Sequence, residues 1–137
     1  MGDMPTIDNP VAAMSDDQAW EFLRSYEVGR LALSAGGVID IYPISYVVDG
    51  ESLVFITSPG TKLLELTVTD HVAFEIDSYD EDFARSVVVH GTAERLESMA
   101  DIDAADALPL VRLIPTEKTR YVRIHPTNVS GRIFARR

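Results

Sequence analysis

Apolar and polar positions change their period along this chain, and the changes outline its elements. Residues 1–14 hold two prolines, Gly2 and Asn9 without a sustained period, which predicts a flexible N-terminal arm ahead of a single domain spanning 15–137. Ser15-Asp16-Asp17-Gln18 has the form of a capping box, in which Ser15 accepts from a first-turn N–H and Gln18 reaches back. A helix to about Tyr26 should follow. Its Trp20 and Leu23 share a face, with Phe22 and Tyr26 beside it, a spacing that suits core packing.

From Gly29 the pattern is that of strands. Arg30–Ser34 ends at Gly36-Gly37, Val38–Val48 forms a second run, and Asp49-Gly50 separates it from Leu53–Thr57. Asp-Gly between two β-rich runs predicts a type I′ hairpin, because both residues tolerate positive φ. Pro43 cannot donate to a ladder, so its strand has an edge, a bulge or a bend there. Ser58-Pro59-Gly60-Thr61 breaks the pattern, Lys62 to about Thr69 reads as a short helix, and His71–Asp77 as another strand. After the acidic turn 78–82, Ser86–Leu96 resumes β structure. Ser98 can cap a helix through the alanine-rich 99–108, which Pro109 ends. Two last strands, Thr119–Ile124 and Val129–Ala135, flank His125-Pro126-Thr127-Asn128. About six largely consecutive strands with three short helices predict a mainly β fold, a small barrel with helices covering its ends. Neither GxGxxG nor GxxxxGK[ST] occurs, which sets aside nucleotide binding of the Rossmann or P-loop kind.

With 137 residues, 46% hydrophobic, the chain can bury a core without staples, and it holds no cysteine for thiol chemistry, thiolate metal sites or disulfides. Its formal charge of −10 argues against a nucleic-acid partner. No apolar run approaches the roughly 20 residues of a membrane helix, so the expected location is the cytoplasm. The charge is uneven. Residues 1–111 hold five basic and 21 acidic side chains, whereas residues 112–137 hold seven basic and one acidic. That basic end suits an anionic ligand or a second subunit, with Arg136 and Arg137, at the terminus, reading as an exposed pair of little consequence.

The strongest candidate chemistry is Thr57-Ser58-Pro59-Gly60-Thr61-Lys62. A strand ending in two hydroxyls, a Pro-Gly turn and a helix opening on Thr61 and Lys62 combine free N–H groups, hydroxyl donors and an ammonium, the components of a phosphate site. A lysine at the positive end of a helix dipole is otherwise poorly placed unless an anion lies near. His71, His90 and His125 match no compact metal spacing, and Asp80-Glu81-Asp82 reads as a solvated turn.

The order of helix, Gly29-Arg30-Leu31-Ala32, Pro43-Ile44-Ser45-Tyr46, Asp-Gly turn, Phe55-Ile56-Thr57-Ser58, Gly60-Thr61-Lys62 and Ser86-Val87-Val88-Val89-His90-Gly91 resembles the pyridoxamine 5′-phosphate oxidase-like flavin-binding split barrels, over about residues 15–135. The resemblance implies an antiparallel, Greek-key-like split β-barrel and a homodimer with one FMN in each of two interface grooves. By position, Thr57, Ser58, Thr61 and Lys62 would hold the FMN phosphate. Pro43, Ile44 and Ser45 would line the ring or ribityl chain, with Ser86 and Val87 near the ring or phosphate. Ser130-Gly131-Arg132 would approach from the other subunit, where Gly131 permits close backbone approach. Tyr46, Tyr79 and His90 are candidates for contacts near the ring. The implied activity is that of an FMN-dependent oxidoreductase, with a reduced nicotinamide as a possible donor. The deazaflavin F420 and a non-catalytic flavin- or haem-binding module are the alternatives. The chain has no evident counterpart of the substrate-binding residues near the C-terminus of the longer oxidases, so vitamin B6 synthesis is not implied.

Overall fold

The computed structural model describes residues 4–57, 71–110 and 120–137. In chain order these form β1 (Val11–Ala13), α1 (Asp16–Arg24), β2 (Val28–Ala35), β3 (Val38–Asp49), β4 (Ser52–Thr57), β5 (Val72–Tyr79), β6 (Phe83–Arg95), α2 (Met99–Asp106) and β7 (Arg120–Ala135). The sheet order is β1-β7-β4-β3-β2-β5-β6, every pairing is antiparallel, and β6 also pairs with β7. Six strands therefore form a ring, and β1 is added to the part of the β7 edge that β4 does not reach. The sequence-predicted helix at 62–69 lies outside the described residues.

Alternation explains the interior. Leu31 and Leu33 of β2, Phe74 and Ile76 of β5, and Val87 and Val89 of β6 point inward and are buried. α1 covers one mouth, inserting Ala19 and Leu23 into that core. The predicted capping box is present: Gln18 N donates to Ser15 Oγ (3.2 Å) and Ser15 N donates to Gln18 Oε1 (2.9 Å). Strand β4 departs from alternation, since Leu53, Val54 and Phe55 are all buried. Its outward Val54 lies under a second small core with Leu96, Ala105 and Tyr121, to which Ile102 of α2 contributes. A strand covered on both faces reads as a continuous apolar run.

Three expectations change in detail. The β3–β4 turn has Gly50-Glu51 at its centre, because Asp49 pairs with Ser52, and only Gly50 takes positive φ (61°). That is the hand of a II′ turn rather than I′. The segment read as a flexible arm supplies β1, since Pro10 O and the β1 backbone complete hydrogen bonds that the C-terminal half of β7 would otherwise lack. The two predicted last strands are one, crossing Pro126 through a β-bulge: Gly91 pairs with Pro126 and His90 with Asn128, leaving Thr127 as the extra residue. Thr127 Oγ1 donates to His90 O at 3.2 Å and ties the bulge down.

Among the described residues Pro43 lies on an edge, which suits its missing N–H. Tyr46 N donates to Glu27 O (2.9 Å), so by alternation Gly29–Ile44 is a hydrogen-bonded pair and Arg30–Pro43 is not. The Pro43 nitrogen thus faces away from β2, on the side where, among the described residues, β3 pairs with β4 only over Tyr46–Asp49. At Gly29 the constraint is space, since a Cβ there would run into the Phe74 ring and come within 2.8 Å of Ile76 Cγ2. Gly29→Ala should cost about 1–3 kcal/mol by overpacking, measured by chemical denaturation, and a variant as stable as the parent would contradict this packing.

Candidate functional site

The register gathers several of the predicted residues onto one tier of the barrel. Ser45 pairs with Val28, Asp77 with Ser86, and Ser86 with Arg132. The ion pair of Arg30 with Asp77 joins β2 to β5 between them. One residue along lies the inward row of Ile44, Gly29, Ile76, Val87 and Gly131. Successive residues of a strand face opposite ways, so the two rows have opposite uses.

Pro43, Ser86 and Arg132 belong to the outer surface, and Ser45 shares their face by alternation but is buried, 4% exposed. Ile44 and Val87, 3% and 0% exposed, are core residues, so their side chains cannot line a ring and only their backbone could. Ser86 and Arg132 face each other directly across β6 and β7 of the same chain, which brings hydroxyl and guanidinium together without a second subunit. Arg132 is exposed and has no hydrogen-bond or ion-pair partner among the described residues. Gly131 permits a close approach, but to its own chain: a Cβ there would lie 2.5 Å from Met14 Sδ, and Met14 N donates to Gly131 O at 2.8 Å. Beside this tier, the outer face of β2 and β3 shows Val28, Ile39 and Ile41, with Ile39 74% exposed.

Thr57 ends β4 opposite Arg120 of β7 and so marks where the predicted phosphate turn begins. Ser58, Thr61 and Lys62 lie outside the described residues. Near Thr57, a cavity of ≈ 440 Å³ is lined by Arg95, Arg120, Tyr121 and Ile102. Tyr46 serves the core rather than a ring contact: its OH donates to Leu23 O at 2.6 Å, and burial, then Tyr26, push its pKa well above the usual phenol range. His90 is exposed on β6, and His125 Nε2 lies 3.2 Å from Glu94 Oε1. No group of three metal-ligating side chains forms among the described residues.

The chain end is not idle. Because β7 runs on to Ala135, opposite Phe83, it delivers both terminal arginines to the acidic turn. Arg136 N donates to Asp82 O (2.8 Å), its guanidinium bonds Asp80 O and lies 4.9 Å over the Tyr79 ring, and Arg137 pairs with Glu81 at 2.7 Å. Tyr79, Arg85, Ser86, Phe134 and Arg136 line a cavity of ≈ 310 Å³ at this end. Sequence reading missed that groove because the pairing that sets Phe134 and Arg136 beside Tyr79 and Arg85 is long-range. A tyrosine before an acidic turn and arginines at the chain end were the available signal.

The family model described as pyridoxamine 5′-phosphate oxidase matches residues 15–133, and the chain belongs to this family. Among solved structures it is similar to a Corynebacterium glutamicum protein named for the same oxidase, with 37% identity, TM-score 0.86, and 94% of this chain and 96% of that one covered. It is also similar to the FAD binding protein of Mycobacterium smegmatis, with 33% identity, TM-score 0.82, and 90% and 98% covered. The Mycobacterium tuberculosis protein Rv3129 is 32% identical over 88 residues, 64% of this chain and 80% of its own.

Asp80 accepts hydrogen bonds from Phe83 N and Asp82 N, both at 2.8 Å, which with Arg85 and Arg136 nearby hold its carboxyl below the ordinary value of 3.8. A carboxyl depressed in the folded state lends the turn stability that is present above its unfolded pKa and is lost as pH falls through the folded one. In an NMR pH titration the Asp80 carboxyl should therefore titrate below 3.8, and a midpoint at or above that value would show that the turn does not hold it.

Proposed function

We propose that this protein binds FMN in a groove on the outer face of its barrel and acts as a flavin-dependent oxidoreductase. The observation that carries the reading is the tier on which Ser86 and Arg132, the latter without a partner among the described residues, share one face with the buried Ser45 beside exposed Val28, Ile39 and Ile41. Hydroxyls and a guanidinium next to apolar surface fit a flavin, whose ring is apolar and whose tail is polar and anionic. In this reading Thr57, Ser58, Thr61 and Lys62 anchor the phosphate, Pro43 and Ser45 lie along the ring or ribityl chain, and Ile44 and Val87 offer backbone alone. Ser86 and Arg132 supply hydrogen bonds to the cofactor, and Arg132 presents a planar donor fork that lysine does not reproduce. The flavin, when bound, would move a hydride or electrons between a donor such as a reduced nicotinamide and an acceptor, while the protein orients it and excludes water.

The exposed apolar strip on β2 and β3 supports a second element of the reading. It packs against another copy of the chain, closing two grooves in a homodimer. FAD is a second reading of the cofactor, favoured by the Mycobacterium smegmatis FAD binding protein at 33% identity. The deazaflavin F420 fits less well, because its oligoglutamate tail asks for a run of cations, and residues 1–111 hold five.

An absorption spectrum of the purified protein, followed by titration of the apo-protein, tests the reading. FMN should bind more tightly than riboflavin. Lys62→Ala and Arg132→Ala should each weaken FMN by about 1–3 kcal/mol, and Arg132→Lys should recover only part of the loss. Equal affinity for FMN and riboflavin would remove the phosphate from the argument. Light scattering at micromolar concentration should give a dimer, and a cofactor-loaded monomer would rule out the two-chain groove.

A further inference from the structure

The groove at the β5–β6 end has features that the tier beside it does not use. Tyr79 is 75% exposed, the Arg136 guanidinium lies 4.9 Å over its ring, and both side chains line the cavity, so aromatic surface remains open beside it. Arg136 bonds Asp80 O and keeps other N–H donors. Arg85 sits 3.8 Å from the Asp80 carboxylate, beyond a hydrogen bond, while that carboxylate accepts from Asp82 N and Phe83 N. Arg85 therefore also has donors to spend. Asp77, the carboxylate on the cavity wall, is already paired with Arg30. The surroundings are thus an open aromatic shelf, two guanidiniums with unused donors, and the Ser86 hydroxyl. Arg132, without a partner among the described residues, lies directly across from Ser86.

An aromatic shelf beside convergent guanidiniums recognises a flat ring that carries a phosphate, by stacking and by charge-assisted hydrogen bonds together. A volume of ≈ 310 Å³ lies at the lower end for small-molecule sites, the size of a mononucleotide rather than of a whole dinucleotide. We propose that this groove is a docking site for an adenylate group. It adjoins the outer tier through Ser86, so the adenylate would belong to the cofactor, if that is FAD, or to a reduced nicotinamide donor. That assignment of source rests on the flavin reading; the site itself does not.

The test is isothermal titration of the full chain with 5′-AMP, adenosine and inorganic phosphate. AMP should bind, with adenosine and phosphate each weaker by roughly tenfold or more, since each lacks one half of the recognised group. Tyr79→Ala and Arg85→Gln should each weaken AMP by about tenfold, Tyr79→Phe should restore it, and FMN affinity should stay within about twofold throughout. If wild-type protein prefers FAD to FMN and Tyr79→Ala removes the preference, the adenylate is the cofactor's. If FAD and FMN bind alike and AMP instead competes with the reduced nicotinamide, it is the donor's. Failure of AMP to bind the wild type, binding indifferent to both substitutions, or FMN affinity falling in step with AMP overturns the proposal. AMP binding that depends on Tyr79 in a protein that takes up neither FMN nor FAD would sustain the groove and refute the flavin reading.

Discussion

The pairing of β6 with β7 is the constraint on which the rest of the molecule depends. It runs from Phe83–Ala135 to Arg95–Val122 and turns an open sheet into a ring. A strand of 16 residues is much longer than the usual five or six, and no single neighbour covers its other edge. β4 takes the first part, and β1 takes part of the remainder. The inward rows meet in one core only because the ring closes, and the same closure sets Ser86 beside Arg132. The bulge at His90/Gly91 lets β7 carry Pro126 without interrupting that closure.

Much of this was legible in the residues. The capping box at Ser15, the cap at Ser98, the breaks at Gly36-Gly37 and Asp49-Gly50, and the alternation in β2 and β5 each follow from local chemistry that tertiary packing reinforces. The failures share a physical origin. A bulge leaves a turn-like signature in sequence, here His125-Pro126-Thr127-Asn128, while preserving the strand. The N-terminal segment shows no period because β1 holds only three residues and hydrogen-bonds through its backbone, which carries no sequence signal.

The candidate site residues were nominated by position, without the direction of each side chain. Pro43-Ile44-Ser45 and Ser86-Val87 were nominated as blocks, yet a strand presents neighbours to opposite faces, so Ile44 and Val87 belong to the core. Arg132 held its interest, although its nearest partner across the ladder is a serine of its own chain. The terminal arginines gained a role that no local reading could give them, because the turn they grip lies more than fifty residues earlier.

The interruption beside Pro43 bears on solubility. Among the described residues part of β3 has no neighbour on that side, and such an edge offers backbone groups to any other extended chain, while the outer surface there, with Ile39 and Ile41, is adhesive. Proline at that position deletes one of the donors an invading strand would need, so a chain that meets the surface can cover it through side chains but cannot extend an unbroken ladder along it. The residue that interrupts the ladder also makes that edge a poor seed for fibrils.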